Sequence, residues 1–146
     1  MTPRHLPFFV YGTLLPGERN HPLLAGRTLS WTPAELPGAL LFHGSGRPYP
    51  YPYAVPDPDG AAAVRGQVAA VADDVYDEVL ADLDKLEDYT PGGTGNHYER
   101  VRVQVRAADG AATDAWTYFA ADRIARELRV SGVRVRDDDW LRRTGP

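Results

Sequence analysis

Residues 98–121 read YERVRVQVRAADGAATDAWTYFAA. In the first ten, Val101, Val103 and Val105 lie on one face and Arg100, Arg102, Gln104 and Arg106 on the other. This period of two is that of a strand with one side toward a core. Asp109–Gly110 is a pair suited to a tight hairpin turn. DAWTYFAA then supplies a second apolar strand. Immediately upstream, DDVYDEVLADLDKLEDYTPGG (73–93) carries a helical period. Asp73 or Asp74 is a candidate cap, acids crowd the first turn, and Thr90-Pro91-Gly92-Gly93 is the expected stop. A helix followed by an antiparallel hairpin points to an α+β fold.

Toward the N-terminus, VRGQVAAVA (64–72) reads as a strand with Gly66 inside it. TLSWTPAEL and GALLFH read as two short strands around Pro37–Gly38. FFVYGTLL (8–15) reads as a buried strand. Residues 16–27 read as a loop with a helical turn at HPLLAG. GSGRPYPYPYAVPDPDG (44–60) is rich in proline, tyrosine and glycine, so an ordered loop or polyproline stretch is expected there. Tyr49, Tyr51 and Tyr53 would either line a pocket mouth or stiffen that loop. DRIARELR reads as a short helix and DDDWLRR closes the tail. The chain shows neither repeat nor linker. The expectation is one small mixed α+β domain over residues 1–146, its sheet partly closed.

The chain has 146 residues, 43% of them hydrophobic and 25% charged, enough for a core without staples. It has no cysteine, which excludes disulfides and thiol catalysis. A net charge of −4 without a basic block argues against nucleic-acid binding. The opening MTPRHLPFFVYG lacks a signal-like apolar run, and no stretch reaches the roughly 18 apolar residues of a membrane helix. A cytoplasmic setting is therefore expected. His5, His21, His43 and His97 lack ligand spacing, so no metal site is expected. Ser45 lies in HGSGRP, short of a Gly-x-Ser-x-Gly elbow. The arginine face of 100–106 reads as a solvated sheet face, with an oligomer surface or an acidic ligand as alternatives.

On a helical wheel of about 100° per residue started at Val75, Tyr76, Val79, Leu80, Leu83 and Leu86 share an arc of roughly 140°. Asp77, Glu78, Asp82, Asp84, Lys85 and Asp88 fall outside it. Glu87 falls inside, between Tyr76 and Leu80, and so points to the core or to a cavity beside it. Burying a carboxylate is costly unless it is paired, hydrogen-bonded or neutral. Desolvation also raises its pKa toward the range of a general acid/base. The plainer alternative is a boundary glutamate that reaches water or an arginine. At the other end of the chain, a buried strand breaking at Gly12–Thr13 would bare consecutive N–H groups that can hold an anion. Its plainer alternative is an ordinary strand-to-loop turn. Asn20–His21 follows as a structural loop pair or as a pocket wall.

Taken in order, VYGTLLPGERNHPLL, VRGQV, LDKLEDY, YERVRVQV and AWTYF resemble the gamma-glutamylcyclotransferase-like, or AIG2-like, family. The resemblance implies a small mixed β-barrel with flanking helices and a cavity. It implies release of 5-oxoproline and a free amine from a γ-glutamyl amide, with Glu87 as general acid/base. It implies that Tyr11, Gly12, Thr13 and Leu14 hold the γ-glutamyl group, so that the strand stops at glycine to present bare backbone. Tyr118 and Tyr98 are the further cavity residues it suggests. The implied partner is a small γ-glutamyl substrate, without nucleic acid, membrane, metal or cofactor; monomer and homodimer stay equally open. The alternatives are a binding or regulatory protein that keeps the cavity without turnover, and a hydrolase releasing glutamate. The chain departs from the family pattern at Gly66–Gln67, where Gly-Glu is common, and at Asp88, where glycine is common. It departs again at Asp139–Trp140, which lacks a preceding glycine.

Overall fold

Phe8, Phe9 and Val10 are all buried, so the strand they form, β1 (Phe8–Val10), is covered on both faces. The computed structural model describes residues 5–44 and 51–143. After β1 come β2 (Thr28–Pro37), β3 (Ala39–His43), β4 (Pro52–Pro56) and β5 (Ala63–Val71). Helix α1 (Tyr76–Leu86), the hairpin β6 (Tyr98–Ala107) and β7 (Ala112–Ala120), and helix α2 (Asp122–Ser131) complete the order.

β1 pairs antiparallel with β5 and parallel with β7, closing β1-β5-β2-β6-β7 into a five-strand mixed barrel. The β3–β4 hairpin extends the sheet through one parallel bridge, Ala54 to Phe119. Period-two alternation sorts the core. Phe8 and Val10 join the cluster that holds Tyr76, Val79 and Leu83 of α1. Phe9 joins Leu36, Val64, Val68, Val105 and Ala115 on the opposite face, which fills the barrel. Val79 and Leu83 are fully buried, each contributing about 1.5–3 kcal/mol relative to exposure. Closure depends on Gly66: a Cβ there would collide with the Val10 carbonyl oxygen and lie 2.9 Å from Phe9 Cζ.

The hairpin forms as expected, with Gly110 at φ 89° and Asp109 Oδ1 accepting from Ala111 N at 2.9 Å. Several expectations need correction. The first strand ends at Val10, not residue 15, because Gly12 O and Leu15 N close a turn. Residues 52–56 form a strand rather than a polyproline loop, with Pro52 and Pro56 at its ends, where proline is tolerated. Ser45 and Tyr49 lie outside the described residues. Neither Asp73 nor Asp74 caps the helix; the Asp73 carboxylate instead meets His5 Nδ1 at 2.8 Å. The helix ends at Leu86, before Thr90, and Asp88 takes a left-handed φ of 52°, a conformation that favours glycine.

The arginine face is not simply solvated. Arg102 pairs with Asp114 at 2.6 Å and Arg106 with Glu35 at 3.3 Å. Arg100 and its partner Asp84 keep only 15% side-chain exposure each. The tail packs along β3: Val135 N donates to Leu41 O, and Leu41 N donates to Asp138 Oδ1, both at 2.8 Å. Among the described residues, no helix is long and apolar enough to cross a membrane.

Gly66→Ala is expected to destabilise the fold by about 2–3 kcal/mol, as overpacking does. Gly110→Ala, with open space around its missing Cβ and only the positive φ against it, should cost about 1 kcal/mol. Denaturant unfolding of the two variants checks the ranking.

Candidate active site

At one end of the barrel, β1 runs out and the chain turns through residues 11–14. The turn is held by its carbonyls. Gly12 O accepts from Leu15 N at 3.1 Å, Thr13 O from Asn20 N at 2.7 Å, and Leu14 O lies 3.0 Å from His21 Nδ1. Asn20 Nδ2 also donates to Thr13 Oγ1 at 2.9 Å. Among the described residues, no backbone carbonyl takes the N–H groups of Gly12, Thr13 or Leu14. The turn thus keeps consecutive donors on its open side, the arrangement that binds anions.

Farther along, the loop is pinned by the tail. Glu18 Oε1 accepts from Trp140 Nε1 at 2.9 Å and pairs with Arg143 at 3.1 Å. Trp140 is 1% exposed and so packs. The reason for glycine at position 12 differs from the sequence expectation. A Cβ there would lie 2.5 Å from Pro52 Cγ and 2.9 Å from Pro52 Cδ. The glycine makes room for β4, and the bare N–H groups follow from the turn rather than from the missing side chain.

Tyr11, Gly12, Thr13, Leu14, Glu87, Tyr98 and Tyr118 all line one narrow cavity, with Phe9, Val10, Asn20, Tyr51, Pro52 and Leu86. Glu87 is the residue just after α1, half-buried, its N–H still bonded to Leu83 O at 3.0 Å. That bond preserves the helical phase that turns the side chain inward. Tyr11 donates to Tyr118 O at 2.6 Å, Tyr98 to Pro52 O at 2.7 Å, and Tyr118 to Asp84 Oδ1 at 2.6 Å. Tyr53 stacks on Tyr98 with ring centroids 4.5 Å apart, while Tyr51 reaches the cavity wall.

Burial holds the Tyr11 phenol well above its usual pKa, and the Glu87 charge adds to the rise. Tyr118 is raised by burial first, then by its bond to Asp84 and the charges of Asp84 and Glu87, with Arg100 opposing. Both phenols line the same cavity as Glu87. Asp84, Arg100, Pro52 and Tyr89 escaped the sequence reading. The helical wheel put Asp84 outside the apolar arc, although it stands three residues before Glu87 and hence on a neighbouring part of the helix surface.

The chain belongs to the gamma-glutamyl cyclotransferase, AIG2-like family, whose model matches residues 8–142. A relative from Niallia circulans, gamma-L-glutamyl-butirosin B gamma-glutamyl cyclotransferase, is 35% identical over 111 residues, 75% of this chain. The match spans 64% of that relative's length. Among solved structures, Bacillus subtilis YkqA aligns with a TM-score of 0.63 at 24% identity, over 92% of this chain and 39% of that one. An AIG2-like protein from Mus musculus aligns at 0.58 and 22% identity, over 80% and 77%. These likenesses show the fold: the mixed barrel with two helices is that of the family.

The raised phenols set an alkaline limit. A folded-state pKa above the unfolded value means stability that is complete below about pH 10 and lost as pH rises past it. Guanidinium unfolding between pH 8 and 11 should show this decline, and Tyr118→Phe should make it shallower.

Proposed function

We propose that the chain is a cofactor-independent γ-glutamyl cyclotransferase in which Glu87 is the general acid/base. The observation that carries the reading is the convergence of Glu87 and the Tyr11–Leu14 turn on one cavity, in a chain of this family. In a γ-glutamyl amide the nucleophile is the substrate's own α-amine. Holding the glutamyl chain bent makes attack on the γ-carbonyl intramolecular, and positioning of this kind can supply several kcal/mol of the barrier.

The α-amine is mostly protonated at neutral pH, so a base must first take a proton. Glu87 takes it, the amine nitrogen bonds to the γ-carbon, and a tetrahedral intermediate forms. The bond to the leaving nitrogen then breaks as Glu87 returns the proton, and the ring nitrogen's second proton passes to the departing amine, which leaves as its ammonium form. The products are 5-oxoproline and the free amine, and no water is consumed. The N–H groups of residues 12–14 suit either the α-carboxylate or the developing oxyanion.

The relative's name adds γ-L-glutamyl-butirosin B to a panel of γ-glutamyl amines and γ-glutamyl dipeptides. Mass spectrometry of the products is expected to find 5-oxoproline from at least one panel member. Glu87→Gln should lower kcat by about 10²–10⁴ while leaving the melting temperature near that of the parent. Glutamate as product would make the chain a hydrolase, and full turnover by Glu87→Gln would remove the assignment.

A further inference from the structure

Asp84 and Tyr89 share the Leu-Asp-x-x-Glu-x-Tyr stretch with Glu87, yet the reaction above uses neither. Both belong to one partly buried network. Asp84 Oδ1 accepts from the Tyr118 hydroxyl at 2.6 Å and from Arg100 Nε at 3.0 Å. The Arg100 guanidinium lies over Trp116 at 4.6 Å and Tyr89 at 5.5 Å. Tyr89 meets the Tyr118 ring edge-on at 6.5 Å. Two rings and a carboxylate thus fix the guanidinium, which in turn fixes the carboxylate.

A phenol has one proton to donate, and a carboxylate only accepts. The Tyr118 proton therefore points at Asp84. Tyr11 and Tyr98 likewise give their protons to backbone carbonyls. Any further bond these three oxygens make inside the cavity is one they accept. The cavity is then polarised, with N–H donors along residues 12–14 and acceptors on the phenol and Glu87 side. A γ-glutamyl group has the matching ends, an acceptor carboxylate and a donor amine on one α-carbon.

We propose that Asp84 is a positioning residue: by taking the Tyr118 proton it fixes Tyr118 as an acceptor, so that the Tyr118 oxygen receives an N–H of the substrate α-amine and holds that amine beside Glu87. This rests on the cyclotransferase reading. An ammonium has three N–H groups. One meets Tyr118, one proton passes to Glu87, and the freed lone pair faces the γ-carbonyl. In Asp84→Asn the amide can turn its NH₂ toward Tyr118, releasing the phenol proton into the cavity against the amine.

Calorimetric binding of L-glutamine and of glutaramic acid, the same molecule without its α-amine, tests this apart from turnover. The parent protein is expected to prefer glutamine by at least about tenfold, and Asp84→Asn and Tyr118→Phe should each cut that preference about five- to tenfold, the net scale of one typical hydrogen bond. Affinity for glutaramic acid should stay unchanged in both. Asp84→Asn/Tyr118→Phe should lose no more than Tyr118→Phe alone, because both changes remove one interaction. Melting curves verify folding, and Tyr118→Phe carries the test by itself if Asp84→Asn does not fold. Equal weakening of both ligands, or an unchanged preference, overturns the proposal. If 5-oxoproline still forms while the preference is unchanged, only the role of Asp84 falls. If neither ligand binds and no γ-glutamyl compound turns over, the cyclotransferase reading falls with it.

Discussion

The close approach of β5 to β1 is the constraint on which the rest of the structure depends. Gly66 lets the β5 backbone pass against the Val10 carbonyl, and that contact closes the barrel on the β5 side of β1. With β7 on its other side, β1 is held in the centre and has to be apolar on both faces. Where it ends, the turn of residues 11–14 is delivered to the mouth of the barrel. The α1 helix packs across the same face through Tyr76, Val79 and Leu83. Its last turn therefore brings Glu87 to the same place. A three-residue strand positions both halves of the site.

The site is stiff, and its stiffness has identifiable sources. Three carbonyls of the 12–14 turn are engaged by the loop that follows, and that loop is tied through Glu18 to Trp140 and Arg143 of the tail. On the facing wall, Asp84, Arg100 and the aromatic rings around them hold Tyr118. Cyclisation of a flexible glutamyl chain is limited chiefly by how well its two ends are held together. In the proposed reaction, a cavity with donors on one wall and acceptors on the other meets that need.

The hairpin of residues 98–121 was legible because alternation and an Asp-Gly turn are local signals. Helix α1 and the inward direction of Glu87 were legible for the same reason, since the angle about a helix depends only on residue count. β4 was not legible. Its flanking prolines suppress a strand reading, and only pairing with β3 and the bridge to β7 give the segment its extended form. Asp84 was misjudged because a wheel sorts side chains by angle alone. Its partners Tyr118 and Arg100 come from strands 16 and more residues away, and they turn an outward acid into a nearly buried one.

The sequence by itself determined the β6–β7 hairpin, helix α1, the family and the set of side chains from which a site can be built, because periodicity, turn chemistry and motif order are written along the chain. The tertiary structure alone decided why Gly12 must be glycine, which protons the cavity phenols keep, and that the C-terminal tail secures the 12–20 loop. Those are contacts between segments far apart in the chain, set by how the barrel closes, and no local pattern encodes the distance between them.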